Sequence, residues 1–534
     1  MSEKAKKVVK KVKEYIKRDW KFILLTIFFM ILSTAIVTVN CSPGNNVINV
    51  NAPFDSLYVT ISYILIFVLG GICAFAVRNA NKDNIKLEKL YLWIAIPIGL
   101  VMCLNTPLGR IPDEDDHAKK SMAIAQGNFF SVADEDGNAM DMINSKVNEL
   151  VSRTTDSYEI SWEKMNLAET DENIKMKYNT MALYAPICHA PQALGIFVAR
   201  IFGVGITGQC YAGRLFNFVI SLILIYNAIK LMPFKKYLLM YLMLLPVTFN
   251  VLPTLSADAL TIAMSSFYIA YILHLKYNDD IKELNVKTKV GLVLSTIVIS
   301  LCKIVYVPLC LLLFLIPKEK FGTLKKKNIF VICTICIAAI LNLIWLVYCS
   351  RFLIEFNAGV DSKQQVIFIL TNPIQYAIIL FRTINFHFNV YYAGLSGDAL
   401  GTYSVKASEI FIYAAIVITS ILFFANKEDE KKVKIDLLTK VICTIIFAGI
   451  TMLIYTSLYV QWTPYKSDFI TGVQPRYFLP ILILVAIIID NNKIVIKDKL
   501  NRFLLTFLLF FNINVATATI YTYYFGMLID AYLK

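Results

Sequence analysis

Four carboxylates and an imidazole follow one another in Pro112-Asp113-Glu114-Asp115-Asp116-His117. Such a run repels itself unless a cation or a basic group neutralises it. Hard carboxylate oxygens suit Mg²⁺ or Mn²⁺, which makes Asp113, Glu114 and His117 a candidate metal set. A carboxylate here could also be a general base for an acceptor hydroxyl, and Asp113 and Glu114 are the candidates. The same residues would serve equally well in a solvated acidic loop with helix N-caps.

Isolated charges at the ends of apolar runs are the second signal. Arg476 lies in Gly472-Val473-Gln474-Pro475-Arg476-Tyr477, just before an apolar run. Arg binds phosphate through a planar fork, and a lipid phosphate sits at this depth. Lys303 and Arg214 sit at similar run ends and are further phosphate-binding candidates, and all three could instead snorkel to headgroups. Asp258, in Ser256-Ala257-Asp258-Ala259, is an acidic residue at membrane depth, where charge is expensive and often functional. Its alternative role, shared with Ser256, is capping the helix that follows. No HExxH, P-loop, GxSxG or Rossmann fingerprint is present.

The elements that must hold these residues are membrane spans. The 534 residues are 57% hydrophobic and 17% charged, against about 45–50% and 25% for soluble chains. Apolar runs recur at 20–39, 57–77, 91–105, 210–231, 237–253, 258–276, 289–303, 305–317, 329–349, 409–425, 438–458, 477–490 and 501–526. They predict an all-α, polytopic transmembrane bundle of about 13 spans, the pair at 289–317 being short enough for a re-entrant hairpin. The net charge of +14 does not point to nucleic acid, because the Lys residues concentrate in short loops such as 318–328. With the N-terminus in the cytoplasm, every inner loop then carries Lys, while the outer loop 40–56 has no Lys or Arg. The acidic run, Asp258, Lys303 and Arg476 would share the outer face of a plasma membrane. Outer segments 106–209, 350–408 and 459–476 follow, with 187–206 and 373–393 read as helices lying in the interface. Most of the 11 Cys fall within apolar runs as packing residues, although Cys188 and Cys210 could meet outside.

These motifs resemble those of the bacterial polytopic family called domain of unknown function 2142. The resembling stretches are Pro112 to His117, Tyr184-Ala185-Pro186, Gly213-Arg214, Ser256 to Ala259 and Gly472 to Pro480, in order across roughly 91–490. That division leaves 1–90 as a basic segment with two extra spans and 491–534 as a last span. Two positions depart from the pattern. Ala185 replaces the first Pro of a YPP-like segment, and Pro475 replaces a Gly before the Arg. Pro has no amide N–H, so an anion site here must rely on the Arg side chain. The family in turn resembles GT-C glycosyltransferases. That likeness implies transfer of a sugar from a polyprenyl-phosphate carrier to a polysaccharide or glycolipid acceptor. Asp113 or Glu114 would act on the acceptor, Arg476, Lys303 and Arg214 on the donor phosphate. His117, Asp116, Asp258, Tyr184, His189, Gln474 and Tyr477 would support them. The alternatives are a transporter or flippase for a lipid-linked saccharide, and a non-catalytic envelope-assembly protein.

Overall fold

The computed structural model describes residues 3–40, 56–80, 85–147, 173–177, 179–352, 357–398, 400–401, 405–427, 433–490, 494–496 and 498–524. The Lys-free loop 40–56 falls almost wholly outside them. The described chain is helical, as expected of backbone that must satisfy its own polar groups in lipid. Among the described residues, seven helices are long and apolar enough to cross a membrane, judged on length and composition. They lie in α2 (Ser56–Ala80), α3 (Leu87–Asn105), α6 (Ile206–Leu231), α9 (Ala257–Tyr277), α11 (Leu324–Cys349), α15 (Leu437–Gln461) and α17 (Asp498–Tyr524). An eighth crossing results if α12 (Ser362–Thr371) and α13 (Pro373–Leu395), bent by 107° at Asn372, count as one. Helix α9 is at the centre, with 83% of its apolar stretch buried, whereas α11 turns Leu343, Ile344 and Val347 outward. Outward apolar residues on this scale are covered by lipid, and the chain is a multi-pass membrane protein.

Among the described residues, fewer helices pass this test than there are apolar runs, in part because hydropathy does not register breaks. The run 237–253 divides into α7 (Lys236–Met243) and α8 (Pro246–Phe249). Pro246 pushes Leu245 into an extended conformation, ψ 144°. The freed carbonyls are satisfied by side chains: Asn512 Nδ2 donates to Leu244 O (2.7 Å) and Thr248 Oγ1 to Leu242 O (2.7 Å). Irregular backbone is tolerated at this depth because protein surrounds it. The run 289–317 forms α10 (Val286–Cys302) and a 3₁₀ stretch Ile304–Leu315 that pack together, with Lys303 extended at the tip. The run 477–490 begins as a 3₁₀ turn, Pro475–Ile481, and continues as the short α16 (Leu482–Ile488). Helix α14 (Glu409–Phe424) has 16 residues, below the roughly 20 that a straight crossing needs. The run 20–39 lies within α1 (Glu3–Asn40).

Between α3 and α6 the chain builds a cap. It contains α4 (Glu114–Ala125), β1 (Val132–Ala133), β2 (Ala139–Asn144), β3 (Asn173–Lys177) and α5 (Ala190–Ile201). The antiparallel order β1-β2-β3 is a small sheet that apolar periodicity did not predict. It is tied to α4 by the buried Lys120, which donates to Ser131 (3.0 Å) and lies 3.6 Å from Asp141. Helix α5 has only 12 residues and presses against α6 through two glycines. A Cβ on Gly195 would come within 2.4 Å of Ala212 O, and one on Gly213 within 3.1 Å of Ile196 Cγ1. Cys188 and Cys210 are both free thiols, and Cys188 Sγ is 3.1 Å from Cys302 O.

The lysine-bearing end of the bundle is closed by its own buried ion pair. Lys235 lies 3.3 Å from Asp490 and donates to Phe423 O and Ala425 O, both at 3.0 Å. Beside it β4 (Ala425–Lys427) pairs in parallel with β5 (Ile494–Ile496).

Candidate functional site

Helix direction places the acidic run at the end opposite Lys235. Helices α3 and α10 end there, and α4, α9 and the Pro475 turn begin there. Asp113 is the residue before α4, with φ 65° and no capping hydrogen bond from its carboxylate. That carboxylate faces Arg476 instead, Nη2 donating to Asp113 Oδ2 at 2.9 Å. Arg476 Nε donates to Asp258 Oδ2 at 2.7 Å, and Lys303 Nζ donates to Asp258 Oδ1 at 2.6 Å. The result is a chain of four charges, Asp113–Arg476–Asp258–Lys303, from four separate segments. Ser256 supplies the α9 cap, its Oγ accepting from Asp258 N at 3.2 Å. The Asp258 carboxylate is thereby left to the two cations.

Aromatic rings line the cationic side. Lys303 Nζ is 4.6 Å from the Tyr477 ring centroid and 5.5 Å from that of Tyr184, and Arg476 lies 5.2 Å from Tyr477. Such faces attract cations without neutralising them. Tyr306, which sequence reasoning missed, fixes this wall by donating to Tyr477 O at 2.7 Å. Gln474 and Arg476 line a cavity of about 20 Å³ with Pro112, Asn250 and Gly401, room for roughly one water. Gln474 Oε1 is buried there without a hydrogen-bond partner.

The loop carrying Arg476 is set by close packing. Gly472 has φ +82°, and a Cβ on it would meet the Trp462 indole at 2.5 Å. A Cβ on Gly394 would meet Pro475 Cγ at 2.4 Å, so Pro475 fills the hollow above a glycine of α13. Neither partner is marked in sequence, since Gly394 and Pro475 are far apart along the chain. Gly472→Ala combines left-handed strain with overpacking and is expected to lower unfolding free energy by about 2 kcal/mol or more. Denaturation in detergent checks it, and an unchanged midpoint would remove the packing argument.

Glu114, expected to be catalytic and metal-binding, is turned the other way and is fully buried. Its oxygens accept from Arg214 Nε (2.8 Å) and Nη2 (2.6 Å), and from the amides of Gly109 and Leu255 (both 3.1 Å). Arg214 spends its remaining donors on the carbonyls of Cys103 (3.0 Å), Thr106 (2.6 Å) and Pro107 (3.0 Å). This corrects two expectations. Arg214 has no fork left for a phosphate, and Glu114 is its buried counter-ion, closed off from solvent. Asp116 reaches Lys119, one turn along α4, at 3.1 Å.

His117 and His189 form a buried pair, Nδ1 to Nε2, 2.8 Å apart, with Tyr184 edge-on to both. One ring nitrogen must donate and the other accept. Burial holds both pKa values below the usual range, that of His117 at about 4, outweighing the attraction of Asp258 and Asp113. The unfolded chain therefore binds more protons between pH 6.5 and 4. Stability is full above about pH 6.5 and falls with acidification, by about 3 kcal/mol for His117 alone. Thermal unfolding from pH 7 to 4 tests this: His117→Asn should flatten the acid limb, and an unchanged slope would count against the assignment.

With Glu114 on Arg214 and His117 on His189, the expected Mg²⁺ or Mn²⁺ set of Asp113, Glu114 and His117 is not assembled. Among the described residues no three His, Cys, Asp or Glu side chains are placed to share a metal ion.

A family model described as a predicted membrane protein, DUF2142, matches residues 96–485. The chain belongs to the DUF2142 family. The matched region runs from within α3 to within α16, so it contains all four members of the charge chain and the Glu114–Arg214 pair. No curated protein and no solved structure matches the chain. The motif residues picked out in the sequence thus fall into two groups. Glu114 and the GR pair fasten the cap to the bundle, while Asp113, Asp258 and Arg476 face one another beside it.

Proposed function

We propose that the protein is a GT-C-like membrane glycosyltransferase. In this reading it moves a sugar from a polyprenyl-phosphate carrier to a hydroxyl of an envelope polysaccharide or glycolipid, on the outer face of the plasma membrane. The observation that carries this reading is the Arg476 fork. It is 91% buried, held on Asp258, and meets a carboxylate, Asp113, that stays 43% exposed. Unrelated surface charges would not be drawn into one hydrogen-bonded chain from positions 113, 258, 303 and 476. The lysine-bearing loops lie at the other end of the helices, which supports an outward-facing site and a cytoplasmic N-terminus.

In the reaction the acceptor oxygen forms a bond to the anomeric carbon while the bond from that carbon to the phosphate oxygen breaks. The electron pair leaves with the phosphate, whose growing charge Arg476 and Lys303 stabilise. The acceptor proton passes to Asp113. A single displacement inverts the anomeric centre, as in the one-step logic of inverting glycosidases. A flippase reading has less support, because the charged cluster gathers at one end of the bundle and not at its middle.

The test is transfer from a labelled polyprenyl-phosphate sugar in membranes expressing the protein. Asp113→Asn is expected to lower the rate about 10²–10⁴-fold with normal expression. Full activity in that variant would remove the base, and no transfer by the wild-type protein with any such donor would remove the reading.

A further inference from the structure

The four-charge chain is neutral, two cations (Lys303, Arg476) against two carboxylates (Asp113, Asp258). Among the described residues, these four groups leave no surplus positive charge for an anion. A phosphate must therefore take the place of one carboxylate, and the two are not equivalent. Asp258 is buried, gives one oxygen to each cation, and stands in the capped first turn of the central helix. Asp113 is 43% exposed and holds Arg476 through one oxygen, Oδ2. It is the residue before α4, yet its carboxylate makes no capping hydrogen bond.

We infer that Asp113 is an internal anion occupying the phosphate position on Arg476, and that a lipid-linked phosphate binds by exchange with it. Asp258 keeps Nε throughout and fixes the plane of the guanidinium. The arriving phosphate takes Nη2, and the Asp113 carboxylate swings off. This deepens the proposed function, on which its catalytic meaning rests: donor binding and release of the base become one event. An unloaded site then presents no free carboxylate to activate water.

The experiment uses the full chain in detergent, titrated with farnesyl phosphate in one arm and inorganic phosphate in another, with binding read by calorimetry. Asp113→Asn removes the competing charge at nearly unchanged shape. It should bind farnesyl phosphate at least tenfold more tightly than the wild type. Adding Arg476→Gln to that variant should abolish the gain. Parallel tightening toward inorganic phosphate would show that the headgroup alone is exchanged; tightening toward farnesyl phosphate only would show that the chain is needed as well. Equal or weaker binding by Asp113→Asn overturns the inference, as does a gain that survives Arg476→Gln. Size-exclusion profiles and melting curves separate these outcomes from misfolding. If binding tightens but the wild type transfers no sugar, the exchange stands and the reaction falls. If the wild type transfers sugar but binding does not tighten, the reaction stands and the exchange falls.

Discussion

Glu114→Ala should cost about 3–5 kcal/mol, enough to prevent recovery of folded protein from many membrane proteins of ordinary stability. The reason is the position of Arg214, which is fully buried and loses its paired charge. Removing both partners is often harmless for a buried ion pair, since apolar replacements avoid the desolvation cost. Here it should not be. The pair also satisfies five backbone groups: the carbonyls of Cys103, Thr106 and Pro107 and the amides of Gly109 and Leu255. Each buried orphan costs about 1–3 kcal/mol. The double variant Glu114→Leu with Arg214→Met should therefore stay destabilised in thermal melts. A double variant as stable as wild type would show that the clamp is an ordinary ion pair.

Under the proposed function, Arg476→Lys should reduce sugar transfer about 10²–10³-fold while leaving the melting temperature near that of the wild type. The charge survives, but the geometry does not. Arg476 uses two different nitrogens to hold Asp258 and Asp113, at 2.7 and 2.9 Å. An ammonium is one point on a flexible stem. It can sit on Asp258, but it cannot then present a second, fixed donor to the leaving phosphate. Transfer rates in membranes, normalised to protein recovered, measure the effect; a loss of less than tenfold would mean that charge without direction is sufficient.

Much of this site was legible because charge at membrane depth is costly and therefore rare. Asp113, Asp258, Lys303 and Arg476 each stand at the end of an apolar run, and the structure brings these four together. The sequence could not say which carboxylate of the acidic run turns which way. Asp113 and Glu114 are neighbours, but successive positions at a helix start differ by roughly 100° in direction. One faces Arg476 and the other Arg214. The all-helical membrane bundle was legible from hydropathy, whereas its breaks were not. An apolar run reads the same whether or not Pro246 or Lys303 interrupts it. The β1-β2-β3 sheet was hidden because its strands are short and only partly apolar. The Gly394–Pro475 contact was hidden because nothing local marks two residues for each other.

The order of these residues along the chain has a consequence for biosynthesis. Glu114 and Arg214 can find each other once the first half of the protein is in the membrane. Asp258 and Lys303 can pair next. Arg476 emerges last, 363 residues after the Asp113 it must meet. Until then Asp113 awaits its guanidinium, and Asp258 has Lys303 without Arg476. A nascent chain arrested before Arg476 would hold a fastened cap over an unfinished site, so completing the charge chain doubles as a record that insertion has proceeded as far as Arg476.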